Sequence, residues 1–281
     1  MGPSAIRIAG LRPELDALGL TVNEVGGVTA SAPELATVGE SATKYLDEVT
    51  EVCRGTRDYV RAALEAESLP LILGGDHSLT IGSAIGVANH HRERDERIGV
   101  MWVDAHADMN TPETTPSGNV HGMSLSVLLG RGAGRLTALA DQPPAVLPEH
   151  VCVLGARSID VTEAPWVKES GIRVITISEM DERGVNVCVE EALEITTTGT
   201  AGVHMSFDLD VIDPQVAPGV GTPVRGGLTY REAHLICEKA DRTGKLLAMD
   251  MVELNPVLDL ENRTGRLAVG LIASALGKTI L

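Results

Sequence analysis

IGVMWVDAHADMN, residues 98–110, decides how the chain is built. The run 98–103 is apolar without alternation, which predicts a strand buried on both faces, as in a parallel sheet. Val103 closes the run, and Asp104, His106 and Asp108 follow in alternation. In open parallel sheets, ligands bind outside the carboxyl ends of the strands. Two carboxylates and an imidazole at such an end therefore mark a place for chemistry.

Working outward, similar apolar runs occur at 20–25, 69–73, 151–155, 172–177, 202–208 and 246–251. Helical spacing lies between them. It is clearest at 40–66 (Tyr45, Val49, Val52, Tyr59, Ala63) and recurs at 78–89, 120–129, 186–197 and 230–240. Strands alternating with helices predict βαβ units, hence an α/β fold with a mainly parallel sheet. No tandem repeat or low-complexity linker interrupts the pattern. The stretch 136–150, with Pro143, Pro144 and Pro148, reads as a surface connection, so one domain over 1–281 is expected.

Composition narrows the function. Hydrophobic residues make up 43% and aromatics only 2%, so the core is aliphatic. A formal charge of -16 argues against nucleic acid or an anionic membrane as partner. No apolar run reaches membrane-spanning length, and MGPSAIRIAG lacks the features of a secretion signal. Cys53, Cys152, Cys188 and Cys237 are scattered, which suggests reduced thiols in a cytoplasmic protein.

The other strand ends carry unusual residues too. GGDHS brings His77, GARSID and the residues after it bring Asp160 and Glu163, FDLDVIDP brings Asp208, Asp210 and Asp213, and DMVELNP brings Asp250 and Glu253. Taken alone, His77 reads as a hydrogen-bonded structural residue, Asp213 as a turn former and Asp104 as a helix cap. Parallel strands bring six of these groups to one edge: His77, Asp104, His106, Asp108, Asp208 and Asp210. Four carboxylates cannot crowd there as anions without cations, and a pair of divalent ions resolves the conflict. Oxygen and nitrogen donors favour a hard or borderline ion such as Mn²⁺. Two such ions would hold a bridging hydroxide as nucleophile.

GGDHS, DAHAD and SFDLDVIDP in this order resemble the ureohydrolase superfamily, which includes arginases and agmatinases. The resemblance runs through nearly the whole chain. It implies a three-layer α/β/α sandwich of the arginase/deacetylase type and two Mn²⁺ per chain. It also implies one metal held by His77, Asp104, Asp108 and Asp208, and the other by Asp104, His106, Asp208 and Asp210.

The segment DMN…SGNVHG, with Asn110, Ser117, Asn119 and His121, resembles the arginase branch. There the corresponding loop hydrogen-bonds the α-carboxylate of the amino acid, a group that agmatine lacks. Neutral amide and hydroxyl donors suit that task beside a charged site. In ARSIDVTE, Asp160 and Glu163 match arginase positions near the α-amino group, although Ser158 stands where many arginases have Asp. APGVGTP, containing Thr222, and ELNPVLDLENRT, containing Glu253, extend the likeness. The implied reaction is hydrolysis of L-arginine to L-ornithine and urea. Asp108 orients the nucleophile, His121 shuttles a proton and Glu253 pairs with the guanidinium. Other readings are a hydrolase of N-hydroxy-arginine, agmatine or a guanidino acid, a single-metal deacetylase-type enzyme, and a catalytically silent metal-binding protein. His121 and Glu253 speak against silence, since neither is needed to hold metal.

Two further expectations follow from the resemblance. The family forms trimers or hexamers, and the apolar C-terminal helix 262–279 could pack on a neighbour or on its own sheet. GPSAIR, residues 2–7, resembles a segment that in arginases follows the first strand. The strand candidates number seven against eight in the family, and the first is the one without a counterpart. A start assigned too far downstream, or a truncated chain, would account for it. A gap or altered pairing is therefore expected beside 20–25 and 69–73.

Overall fold

A computed structural model describes residues 1–31 and 35–280. Six strands form one parallel sheet: β1 (Leu71–Leu73), β2 (Gly99–Val103), β3 (Val151–Ala156), β4 (Arg173–Thr176), β5 (Val203–Asp208) and β6 (Leu246–Val252). Their order across the sheet is β1-β6-β5-β2-β3-β4. Helices α1 (Gly2–Ile8), α2 (Leu11–Ala17), α3 (Leu46–Glu65) and α4 (Leu79–Arg92) come from the first third of the chain. Short helices α5 (Ser124–Leu128), α6 (Gly134–Thr137), α7 (Ala164–Glu169) and α8 (Ile177–Arg183) follow. The series ends with α9 (Val185–Thr197), α10 (Tyr230–Arg242) and α11 (Arg263–Ala275).

Because successive strand residues point to opposite faces, each central strand feeds two cores. Val100, Trp102, Val151, Val153 and Ala248 face one side, against α3 and α4. Met101, Val103, Cys152, Leu154, Met205, Phe207, Met249 and Met251 face the other, with residues of α9, α10 and α11. The result is the expected three-layer α/β/α sandwich. Burying one such side chain, as at Phe207, is worth about 1.5–3 kcal/mol. The α3–α4 contact depends on Gly82, where a Cβ would lie 2.2 Å from the Cys53 carbonyl oxygen.

The stretch 20–25 forms no strand, and here the sequence expectation is corrected. β1 pairs only with β6, and its outer edge has no strand partner among the described residues. Interrupted by Thr21, Asn23 and Glu24, the stretch keeps to the surface: Val25 is 63% exposed, and Arg7 pairs with Glu24 at 2.5 Å. The C-terminal helix resolves another open question. Leu267 and Leu271 of α11 are buried in this chain's own core. Among the described residues, no helix is long and apolar enough to cross a membrane.

Candidate active site

The carboxyl ends of β1, β2, β5 and β6 meet at one edge of the sheet. Loop 74–78 after β1 carries His77, loop 104–110 after β2 carries Asp104, His106 and Asp108, and β5 ends in Asp208 with Asp210 two residues on. All except His106 are nearly inaccessible to water. His77 Nδ1 lies 3.2 Å from Asp104 Oδ2, 3.2 Å from Asp108 Oδ2 and 3.0 Å from Asp208 Oδ2. Next to it, His106 Nδ1 lies 3.3 Å from Asp104 Oδ1 and 3.1 Å from Asp210 Oδ2. These are two carboxylate–imidazole clusters that share Asp104.

Local hydrogen bonds fix the rotation of Asp104, Asp208 and Asp210. Asp104 accepts from the His106 backbone N–H at 2.7 Å and from Trp102 Nε1 at 2.9 Å. Asp208 Oδ1 accepts from the Asp210 N–H at 2.7 Å, and Asp210 Oδ2 accepts from Thr222 Oγ1 at 2.8 Å. The Trp102 ring stacks on His77 at 4.2 Å between centroids. Arg157 holds the loop beyond β5 by donating to the carbonyls of Asp210, Val211 and Val224.

The electrostatics are those of a site with more anions than it can hold alone. Burial opposes charge on His77, but its contacts with Asp104, Asp108 and Asp208 carry the imidazole well above its ordinary value. For His106 the same competition, against Asp104 and Asp210, ends at about 12. Burial, then Asp104, raises Asp108 to about 6. Asp208 is pushed well above the usual range by burial and by Asp210 and Asp104. Asp104, also buried but flanked by both imidazoles, falls below that range.

Divalent cations fit this donor set. The buried His77 Nδ1 has no hydrogen-bond partner although three carboxylate oxygens surround it. An imidazole lone pair aimed into a ring of carboxylates is a ligand geometry. Bound cations would also reverse the local titration conflict.

Around the clusters lie the remaining residues named from sequence. Ser117, Asn119, Asp160 and Thr222 are exposed on the rim. Asn110 is buried, donates from Nδ2 to Asp160 Oδ2 at 2.8 Å, and accepts from Thr114 Oγ1 at 3.0 Å. Glu163 turns inward: its oxygens accept the Met109 N–H at 2.8 Å and the Asp160 N–H at 3.0 Å. Burial lifts its carboxyl to about 7. Glu253 accepts the His77 N–H at 2.7 Å, and His121 Nδ1 lies 3.8 Å from the same oxygen. That contact with Glu253 outweighs burial and raises His121 to about 9. Asp108 and Glu253 both adopt left-handed backbone, φ 51° and 62°, which is strained for side chains other than glycine.

Sequence reasoning missed Trp102, Thr80, Ser206 and Arg157. Trp102 and Ser206 lie inside strands, and Thr80 inside a helix, where they look like filler. Arg157 adjoins a quoted motif, and only its contacts reveal its use.

A parallel α/β sandwich with carboxylate–imidazole clusters at one strand edge is an architecture suited to a metal-dependent hydrolase. Comparison with known proteins narrows that class. The chain belongs to the arginase family, whose model matches residues 1–277. It is 43% identical over 281 residues to the arginase of Bacillus subtilis strain 168, covering 100% of this chain and 93% of that one. It is 42% identical over 282 residues to the arginase of Bacillus caldovelox, with the same shares covered. A crystal structure of the Bacillus subtilis arginase superposes with a TM-score of 0.92 at 43% identity, over 100% of this chain and 93% of that one.

Proposed function

We propose that this protein hydrolyses the guanidinium group of L-arginine to give L-ornithine and urea. The carrying observation is the pair of clusters around His77 and His106, set beneath a rim of neutral donors and one exposed carboxylate. Two Mn²⁺ ions suit the oxygen-rich donor set, with His77, Asp104, Asp108, Asp208 and His106, Asp104, Asp208, Asp210 as holders. When bound, such a pair neutralises the carboxylates, activates water as a nucleophile and stabilises charge developing in the transition state.

The chain's own groups do the rest. Glu253, beside the clusters, receives the planar guanidinium, and a carboxylate suits it by bidentate contact. Asp108, fixed in its strained backbone, accepts the hydrogen of the attacking water and so aims its lone pair at the guanidinium carbon. His121, held in its protonated form by Glu253, donates a proton to the leaving ornithine nitrogen. Asp160 accepts the α-amino group, held by Asn110, while Ser117 and Asn119 donate to the α-carboxylate. Thr222 keeps Asp210 turned toward its cluster. Glu163 ties the loops of Asp108 and Asp160 together through their backbone N–H groups.

Family membership supports a homo-oligomer, a trimer or hexamer, which sedimentation would read directly. The four free cysteines, all buried, support a cytoplasmic setting. The deciding experiment is urea release from L-arginine by metal-stripped protein, before and after Mn²⁺ is restored. Urea only after restoration is expected. No urea with Mn²⁺ restored rejects the reading.

A further inference from the structure

One face of β5 carries His204, Ser206 and Asp208, and α4 covers it with Thr80 and Ser83. All five residues are buried, and two hydrogen-bonded groups connect them. Nearer the clusters, Ser206 Oγ lies 2.8 Å from His77 Nε2 and 3.2 Å from Thr80 Oγ1. One helical turn on, Ser83 Oγ donates to Asp250 Oδ2 at 2.6 Å, and His204 Nε2 meets the same oxygen at 2.9 Å. The second group pins α4 to β5 and β6, so the Thr80 hydroxyl has a fixed place above Ser206.

We propose that Thr80, acting through Ser206, is a positioning residue that selects the metal-binding tautomer of His77. This rests on the reading that His77 is a ligand. A neutral imidazole carries one hydrogen, and the nitrogen that binds a cation must be the bare one. His77 Nδ1 faces the carboxylates, so Nε2 must carry the hydrogen and donate to Ser206 Oγ. Ser206 then needs an acceptor for its own hydrogen, and Thr80 Oγ1 is at that distance. Without that acceptor, the Ser206 hydroxyl can turn and donate to His77 Nε2. The imidazole hydrogen then moves to Nδ1, where it points into the cation site. The partner of a ligating histidine's second nitrogen tunes metal affinity in this way, typically by about 10–100-fold.

The test compares Thr80→Val, which keeps shape and removes the hydroxyl, with Thr80→Ser, which keeps the hydroxyl. Mn²⁺ affinity is measured by competition with a chelator. Histidine ¹⁵N shifts in the metal-free protein, at a pH high enough to leave the imidazole neutral, report the His77 tautomer. Thr80→Val is expected to bind about 10–100-fold more weakly and to move the hydrogen toward Nδ1, while Thr80→Ser restores both. Ser206→Ala approaches the same link from the strand, should weaken binding likewise, and serves if Thr80→Val does not fold. Wild-type affinity and tautomer in Thr80→Val or, should that variant not fold, wild-type affinity in Ser206→Ala, overturns the proposal. His77→Ala separates the two levels: full metal content in that variant rejects the ligand reading itself.

Discussion

The side-chain amide of Asn110 donates to the Asp160 carboxylate across 2.8 Å, and so ties the loop after β2 to the loop after β3. One partner sits beside the carboxylate–imidazole clusters and the other on the rim. The bond therefore joins two jobs that mutation can separate.

Asp210→Ala and His106→Ala should lower metal content and activity together, because each removes a donor from a cluster. Asp160→Ala should leave the metals in place and mainly raise KM for arginine. Metal analysis beside steady-state kinetics reads both. Loss of metal in Asp160→Ala would place that residue in the wrong class.

His121→Asn should retain both metals and lower kcat by about 10²–10⁴-fold, the usual contribution of a positioned acid–base group. A kcat near wild type would leave His121 as a loop residue paired with Glu253.

Substrate choice should follow the α-carboxylate. Agmatine has none, so donors at Ser117 and Asn119 would face nothing. Losing contacts that a site is built to make can cost a factor of about 10⁴. Arginine should be strongly preferred, and comparable kcat/KM values would point to a broader guanidino hydrolase.

Glu163 predicts a pH effect on stability. Its folded carboxyl titrates near about 7 against an ordinary 4.5, because burial disfavours the charge. Folding therefore favours the protonated form. That contribution is complete below the ordinary value and is lost as pH rises through the folded one. In metal-free protein, Glu163→Gln should gain on wild type between about pH 5 and about pH 8 in denaturant titrations. A stability difference that does not change with pH would contradict the burial argument.

The cluster of carboxylates and imidazoles was legible because it obeys a local rule. Buried strands read as unbroken apolar runs, and ionisable residues at their ends stand out. All six of the other predicted strands came within two residues of their observed limits at both ends, whereas 20–25 failed. Its apolar residues are interrupted by Thr21, Asn23 and Glu24, and it stays at the surface beside an edge strand that it does not join. The inward turn of Glu163 was equally invisible, since it reaches the backbone N–H of Met109, 54 positions away. Ser206 and Thr80 are 126 positions apart, and no spacing rule links them.

The left-handed backbone at Asp108 and Glu253 sets the chain against itself. Such conformations cost of order 1–3 kcal/mol each, and glycine would relieve most of that. A laboratory campaign that selects on heat resistance alone would thus find its easy gains at two positions that the proposed mechanism uses, and would return a sturdier protein that the mechanism predicts to be inert. Screens on this scaffold need turnover as a co-selected trait at every round.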